Sequence, residues 1–186
     1  MIDAAYMFAS QETIGQGYQF DYGKLRKKLE HDGGFFQVYY VNSTPNPPTD
    51  QQDAFHTWLK SAQPRGPKIQ VKLFKLKSLE IKCPHCRKVY EREVQKGVDI
   101  GISTLALTLA DRYETLVLSS GDGDFRDMAE YVRNTLDKRF ELAVFRKSVS
   151  TDLQSLSDHI YWIDDFANEV RKDNQPHRKV MAHAAG

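Results

Sequence analysis

At 186 residues, 40% of them hydrophobic and 27% charged, the chain has material for one buried core and too little length for two large ones. That composition excludes a disordered chain, and no apolar run approaches the ~18 residues a membrane-spanning helix needs. Net charge is only +1, yet Arg65 to Lys96 holds ten Lys or Arg against three Glu, a block that suits a phosphate backbone or else a solvated hairpin face.

In chain order, Met1-Ile2-Asp3 reads as the end of a buried strand and carries no export signal, so a cytoplasmic location is expected. Asp21 caps a helix to about Glu30, with Leu25 and Leu29 facing inward and His31 to Gly34 ending it. Phe35 to Val41 is aromatic and β-branched, which predicts a strand and makes Phe35, Phe36, Tyr39 and Tyr40 core residues rather than base-stacking ones. A helix follows over about Asp50 to Ala62. Lys68 to Lys75 alternates as a strand with one wet face, and Ser78 to Gln95 reads as a charged hairpin turning at Cys-Pro-His-Cys.

Lys96 to Ala110 is an aliphatic helix in which Ile100, Ile102, Leu105, Ala106 and Leu109 point to a core. Thr115 to Ser119 is a short apolar strand, Gly121 to Asp124 a tight turn, and Phe125 to Thr135 a helix. A strand over Phe140 to Phe145, a short helix over Asp152 to Leu156 and a last apolar stub at Tyr161 to Ile163 complete the pattern. Strands alternating with helices imply an α/β fold with a doubly wound parallel sheet. One domain is expected over residues 1–170, with a basic hairpin inserted at 78–95 and a loose tail at 171–186.

Ligands of such sheets bind beyond the carboxyl ends of the strands, and there this sequence is acidic. Asp3 follows the first strand, Asp122 and Asp124 follow the strand at 115–119, and Asp99 opens the helix leading to it. The turn is not a dinucleotide loop, because Arg126 stands where Gly-x-Gly-x-x-Gly needs its third glycine and two aspartates would repel a pyrophosphate. A single pair of like charges ~4 Å apart costs roughly 4 kcal/mol at an effective dielectric near 20, so a cation is wanted. All-oxygen ligands favour Mg²⁺ or Mn²⁺. The plainer reading is that Asp122 caps the helix beginning near Phe125 and Asp124 merely favours its dipole. Gly121 and Gly123 would let the turn bring both carboxylates in without a Cβ clash. Lys96 beside the acids and Arg146 at a strand end are placed to touch phosphate.

Ile2-Asp3-Ala4-Ala5, Asp21-Tyr22-Gly23-Lys24-Leu25, Gln95-Lys96-Gly97-Val98-Asp99-Ile100, Ser119-Ser120-Gly121-Asp122-Gly123-Asp124-Phe125 and Val144-Phe145-Arg146 resemble, in order, the blocks of the NYN-domain family of PIN-like nucleases, in its bacterial LabA-like branch. The resemblance implies a PIN-like fold and Mg²⁺- or Mn²⁺-dependent hydrolysis of RNA phosphodiesters, single-stranded RNA being the expected substrate. It also makes Asp3, Asp99, Asp122 and Asp124 the metal-holding and catalytic positions, with Asp3 and Asp122 foremost and Ser120 a hydrogen-bond donor at the substrate. Lys82, Arg87 and Lys88 of the basic hairpin would hold the phosphate backbone. One position departs: family members commonly carry Asn three residues after the first Asp, and here it is Tyr6. That departure and the truncated first strand motivate a second reading, an RNA-binding or regulatory module on the same fold without turnover.

Cys83 and Cys86 look like half of a zinc knuckle, and they are the only cysteines, so no disulfide framework exists. His56, His85, His177 and His183 show no telling spacing, which leaves a reduced, metal-free turn as the favoured expectation. A homodimer completing a zinc site across an interface is the alternative.

Overall fold

The computed structural model describes residues 1–30, 34–45 and 47–173. Strand β1 (Ile2–Asp3) runs parallel to β2 (Tyr39–Thr44), pairing Ile2 with Tyr40 and Asp3 with Val41, and β2 runs parallel to β3 (Gln70–Lys75). β4 (Lys77–Lys82) and β5 (Val89–Val94) form a separate antiparallel hairpin. β6 (Thr115–Leu118), β7 (Arg139–Val144) and β8 (His159–Trp162) form a second parallel set. The two sets meet at β1, where the Asp3 N–H donates to the Ser119 carbonyl (3.2 Å) and the Ser119 N–H to the Met1 carbonyl (2.8 Å). The order is therefore β3-β2-β1-β6-β7-β8, a mixed α/β architecture of the doubly wound kind.

Seven helices alternate with the strands in the described residues: α1 (Ala4–Ser10), α2 (Tyr22–Leu29), α3 (Asp50–Lys60), α4 (Val98–Thr108), α5 (Arg126–Asn134), α6 (Thr151–Leu156) and α7 (Ala167–Val170). Neighbouring strand residues face opposite ways, and the core divides accordingly. Tyr40 packs in one layer with Met7 of α1, Leu25 of α2, Leu59 of α3 and Val170 of α7. Val41 packs in the other with Val98 and Ile102 of α4, Met128 and Val132 of α5, and Leu153 of α6. No described helix is long and apolar enough to cross a membrane.

Several expectations shift. β2 starts at Tyr39 rather than Phe35, and Phe36 is 56% exposed, with the Arg112 guanidinium 4.8 Å above its ring. The cause lies next door: a β1 of two residues offers nothing for Phe35 or Phe36 to pair with. Tyr40 is buried as expected, while Phe35 and Tyr39 are half-buried against the core. Ile100 is 73% exposed because the buried stripe of α4 runs through Val98, Ile102 and Ala106, and Ile100 lies on the opposite face. Helix α1 was not expected at all. The helix end expected at His31 to Gly33 and the expected tail from residue 174 lie outside the described residues.

The hairpin stands apart from this core. Only Ile81 and Val94 among its strand residues are partly covered. Since β3 runs parallel to β1 and β6 and the hairpin starts two residues after β3 ends, it is rooted at the same sheet edge as the ends of those strands.

Candidate active site: an aspartate edge at the switch point

From β1 the chain goes toward β2 and from β6 toward β7, so the strand order reverses between β1 and β6. Such a reversal leaves a crevice beyond the carboxyl ends of the two strands. Asp3 ends β1 there and is 6% exposed. Its Oδ1 accepts hydrogen bonds from the Ala5 N–H (3.1 Å) and the Tyr6 N–H (3.2 Å), capping α1, and its Oδ2 accepts from the Ser120 hydroxyl at 2.8 Å. Ser120 is fully buried. It orients Asp3, a different task from the substrate contact expected of it.

Across the crevice, Asp122 begins the turn Gly123–Phe125, its Oδ1 accepting from the Asp124 N–H at 3.1 Å. Capping is thus real at Asp122, and it occupies one carboxylate oxygen. Asp99 sits in the first turn of α4. Its carboxyl is pushed above the ordinary aspartate value by burial first and then by the charges of Asp3, Asp122 and Asp124. Burial likewise raises Asp3, against the hydrogen bonds from Tyr6, Ser120 and Ala5, with the charge of Asp122 adding to the rise. The four acids therefore share one electrostatic field. Among the described residues, no three His, Cys, Asp or Glu side chains converge closely enough to hold one ion directly.

Gly121 permits the approach of this turn to the loop after β7. A Cβ there would run into the Ser148 carbonyl, Val149 Cα and the Tyr6 ring, whereas one at Gly123 would meet only Ser150 at an ordinary 3.6 Å. Only the first glycine is required.

Tyr6 closes the back of the site, a role that nothing in the sequence signalled beyond its departure from the family pattern. Its hydroxyl accepts from the Phe145 N–H (3.1 Å) and the Ser148 hydroxyl (3.2 Å), so it ties α1 to the loop against which Gly121 packs. Tyr6→Phe strands the Phe145 N–H and is expected to cost about 1–2 kcal/mol in urea unfolding. An unchanged midpoint would mean that water replaces the hydroxyl without loss.

The expected phosphate-binding residues are dispersed. Arg146 is held by Asp165, both carboxylate oxygens lying within 2.7 Å of Nη2, and stacks 4.7 Å over Trp162, so its guanidinium is committed elsewhere. Lys96 is exposed between the end of β5 and Asp99, and Lys82, Arg87 and Lys88 are exposed at the far end of the hairpin. There the Cys83 N–H donates to the Lys88 carbonyl and the Arg87 N–H to the Cys83 carbonyl, both at 2.9 Å. The Cys83 thiol is pushed down by hydrogen bonds from the Cys86 and His85 backbone N–H groups and from the Cys86 side chain.

Comparison with known proteins bears on this arrangement. A crystal structure of a protein of unknown function from Vibrio parahaemolyticus superposes with a TM-score of 0.67 over 92% of this chain and 93% of that one, at 20% sequence identity, a likeness of fold alone. No curated protein matches. The NYN domain model matches residues 1–164, nearly the whole described chain, and carries with it a PIN-like nuclease fold. With four acids sharing one field at the switch point of that fold, the chain belongs to the NYN domain family.

Proposed function

We propose that this chain is a divalent-metal-dependent ribonuclease that hydrolyses single-stranded RNA at the aspartate edge. The observation that carries the reading is the placement of the acids: Asp3 ends β1 and Asp122 follows β6 at the switch point, with Asp99 in the first turn of α4 near enough to feel the charges of Asp3, Asp122 and Asp124, in a member of a nuclease-fold family. The donor chemistry fits Mg²⁺ or Mn²⁺, because the site offers only oxygens. Mg²⁺ keeps several waters and takes one or two carboxylates, so it does not need three side chains converging in advance. Asp3 and Asp122 are the residues that would hold it, with Asp99 and Asp124 engaging its waters. When bound, such an ion supplies a nucleophile at neutral pH and offsets charge on the transferring phosphate.

The protein's part is positioning. Ser120 and the first turn of α1 fix both oxygens of Asp3, which leaves its carboxylate one orientation. Lys96 and the hairpin cations offer phosphate contacts that orient a strand without reading its bases. The module without turnover rested on Tyr6 and on the truncated first strand; the Tyr6 hydroxyl bonds to Phe145 and Ser148 rather than to any of the acids, and the two-residue β1 still sets Asp3 at the sheet edge, so the hydrolytic reading is preferred.

After EDTA treatment, Mn²⁺ or Mg²⁺ should restore cleavage of unstructured RNA. The same ions should raise the melting temperature, by the equivalent of about 2.7 kcal/mol at a hundredfold excess over Kd. The sign of the pH dependence follows from the raised carboxyls of Asp3 and Asp99. Their folded pKa values exceed the unfolded ones, so the metal-free protein loses stability as pH rises from the ordinary 3.8 through the raised values, and the penalty is complete above them. Metal stabilisation should therefore be larger at pH 7.5 than at pH 4. Equal shifts at both would count against these carboxylates as the binding groups.

A further inference from the structure

The hairpin ends in two free thiols held in one tight turn. Cys83 and Cys86 are free thiols, and Arg87 adopts a left-handed φ of 58°, closing the turn with the two 2.9 Å backbone bonds between Cys83 and Lys88 and between Arg87 and Cys83. This turn sets the two thiols at the tip of the hairpin with the two-residue spacing of a zinc knuckle.

A two-stranded sheet on its own is marginal in water, and small units of this kind gain order from a staple such as a metal. Zinc wants four ligands, of which the knuckle supplies two. Among the described residues, no third His, Cys, Asp or Glu joins them, and His56 is buried in α3 against Tyr40 and Phe55. Among the described residues, one chain leaves the site incomplete.

We propose that two copies of this chain share one zinc ion through Cys83 and Cys86 of each, joined tip to tip by their hairpins. A half-site of this kind is completed by its own copy under a two-fold axis, which is the commonest symmetry of small assemblies. Charge agrees, since zinc with four thiolates carries two negative charges and each copy sets Lys82, Arg87 and Lys88 around its pair. The register also selects a face. Leu79, Ile81, Tyr90 and Val94 lie on one side of the hairpin together with Lys77 and Arg92, and Leu79 and Tyr90 are exposed there, whereas the other side carries Lys82 and Val89 and sets Glu80 directly opposite Glu91 with Glu93 beside them. Like charges directly opposite each other repel and keep that side in water, so the apolar side is the one free to meet its copy.

The full-length protein, stripped with chelator and titrated with Zn²⁺ alone, should take up one zinc per two chains and pass from monomer to dimer in light scattering, with EDTA reversing both. Co²⁺ in place of Zn²⁺ should give the sulfur-to-cobalt charge-transfer band and visible bands of a tetrahedral four-thiolate site. Cys83→Ser and Cys86→Ser should each abolish metal uptake and dimerisation while the far-ultraviolet dichroism of the domain is unchanged. One zinc per chain with a monomeric mass, no zinc uptake, or a dimer that survives both substitutions would each overturn the proposal.

Discussion

Asp122→Asn is expected to lower RNA cleavage about 10²–10³-fold while leaving the fold intact, a loss in keeping with removing one group that stabilises transition-state charge. The substitution is nearly isosteric. Asn caps as well as Asp does, so the bond from the Asp124 N–H to Oδ1 is retained and the turn Gly123–Phe125 keeps its entry. What disappears is one negative charge that adds to the rise burial imposes on Asp3 and Asp99. The metal-free variant should therefore melt no lower than the native protein, and the stabilisation by Mn²⁺ should shrink along with the rate. Separating rate from stability in this way distinguishes a catalytic acid from a structural cap. Cleavage at the native rate would remove Asp122 from the chemistry, and a large drop in melting temperature would assign it to the turn.

Reversing Lys82, Arg87 and Lys88 to Glu together should weaken binding of single-stranded RNA by about 10²–10³-fold at 50 mM salt and flatten its salt dependence by about two. The estimate comes from counterion release, at roughly 0.7 per phosphate neutralised on a single strand, summed over three cations. The effect should be alike for all sequences, because phosphate contacts carry no base information. The affinity for Mn²⁺ should not follow. Lys82 stands five residues beyond the root of β4, roughly 17 Å along an extended strand, and the Debye length is about 8 Å at physiological salt. Native salt dependence in the triple variant would exclude the hairpin as a clamp, and a fall in Mn²⁺ affinity would mean that it folds back over the acids.

The acids were legible because their signal is positional. An aspartate directly after an apolar strand must lie at the carboxyl edge of a parallel sheet, whatever the strand's exact length, and Asp21 could be read as a cap because it precedes its helix directly. The start of β2 was not legible from Phe35 to Val38, since β propensity describes a residue's fit to a sheet and not whether a partner strand reaches it. Helix α1 escaped notice because its short span of seven residues has little amphipathic period, and its Asp3 cap was already counted as the end of a strand. The exposure of Ile100 could have been read, because Val98, Ile102 and Ala106 repeat at four-residue steps and leave it off the stripe. The tasks of Ser120 and Tyr6 needed coordinates, since both depend on residues more than a hundred positions away.

The joint between β1 and β6 also sets the order in which this protein becomes itself. Asp3 and Ser120 lie 117 residues apart, and the whole of β2, β3, the hairpin and α4 intervenes. Closing so long a loop is entropically slow relative to forming the hairpin or the helices, so the acidic edge is among the last features to appear. On a ribosome, Asp3 emerges first and waits for Ser120, Asp122 and the strand β7 that supports them. On the proposed function, a nascent chain shorter than this carries the cationic hairpin without the assembled acids, and would grip RNA before it could cut it.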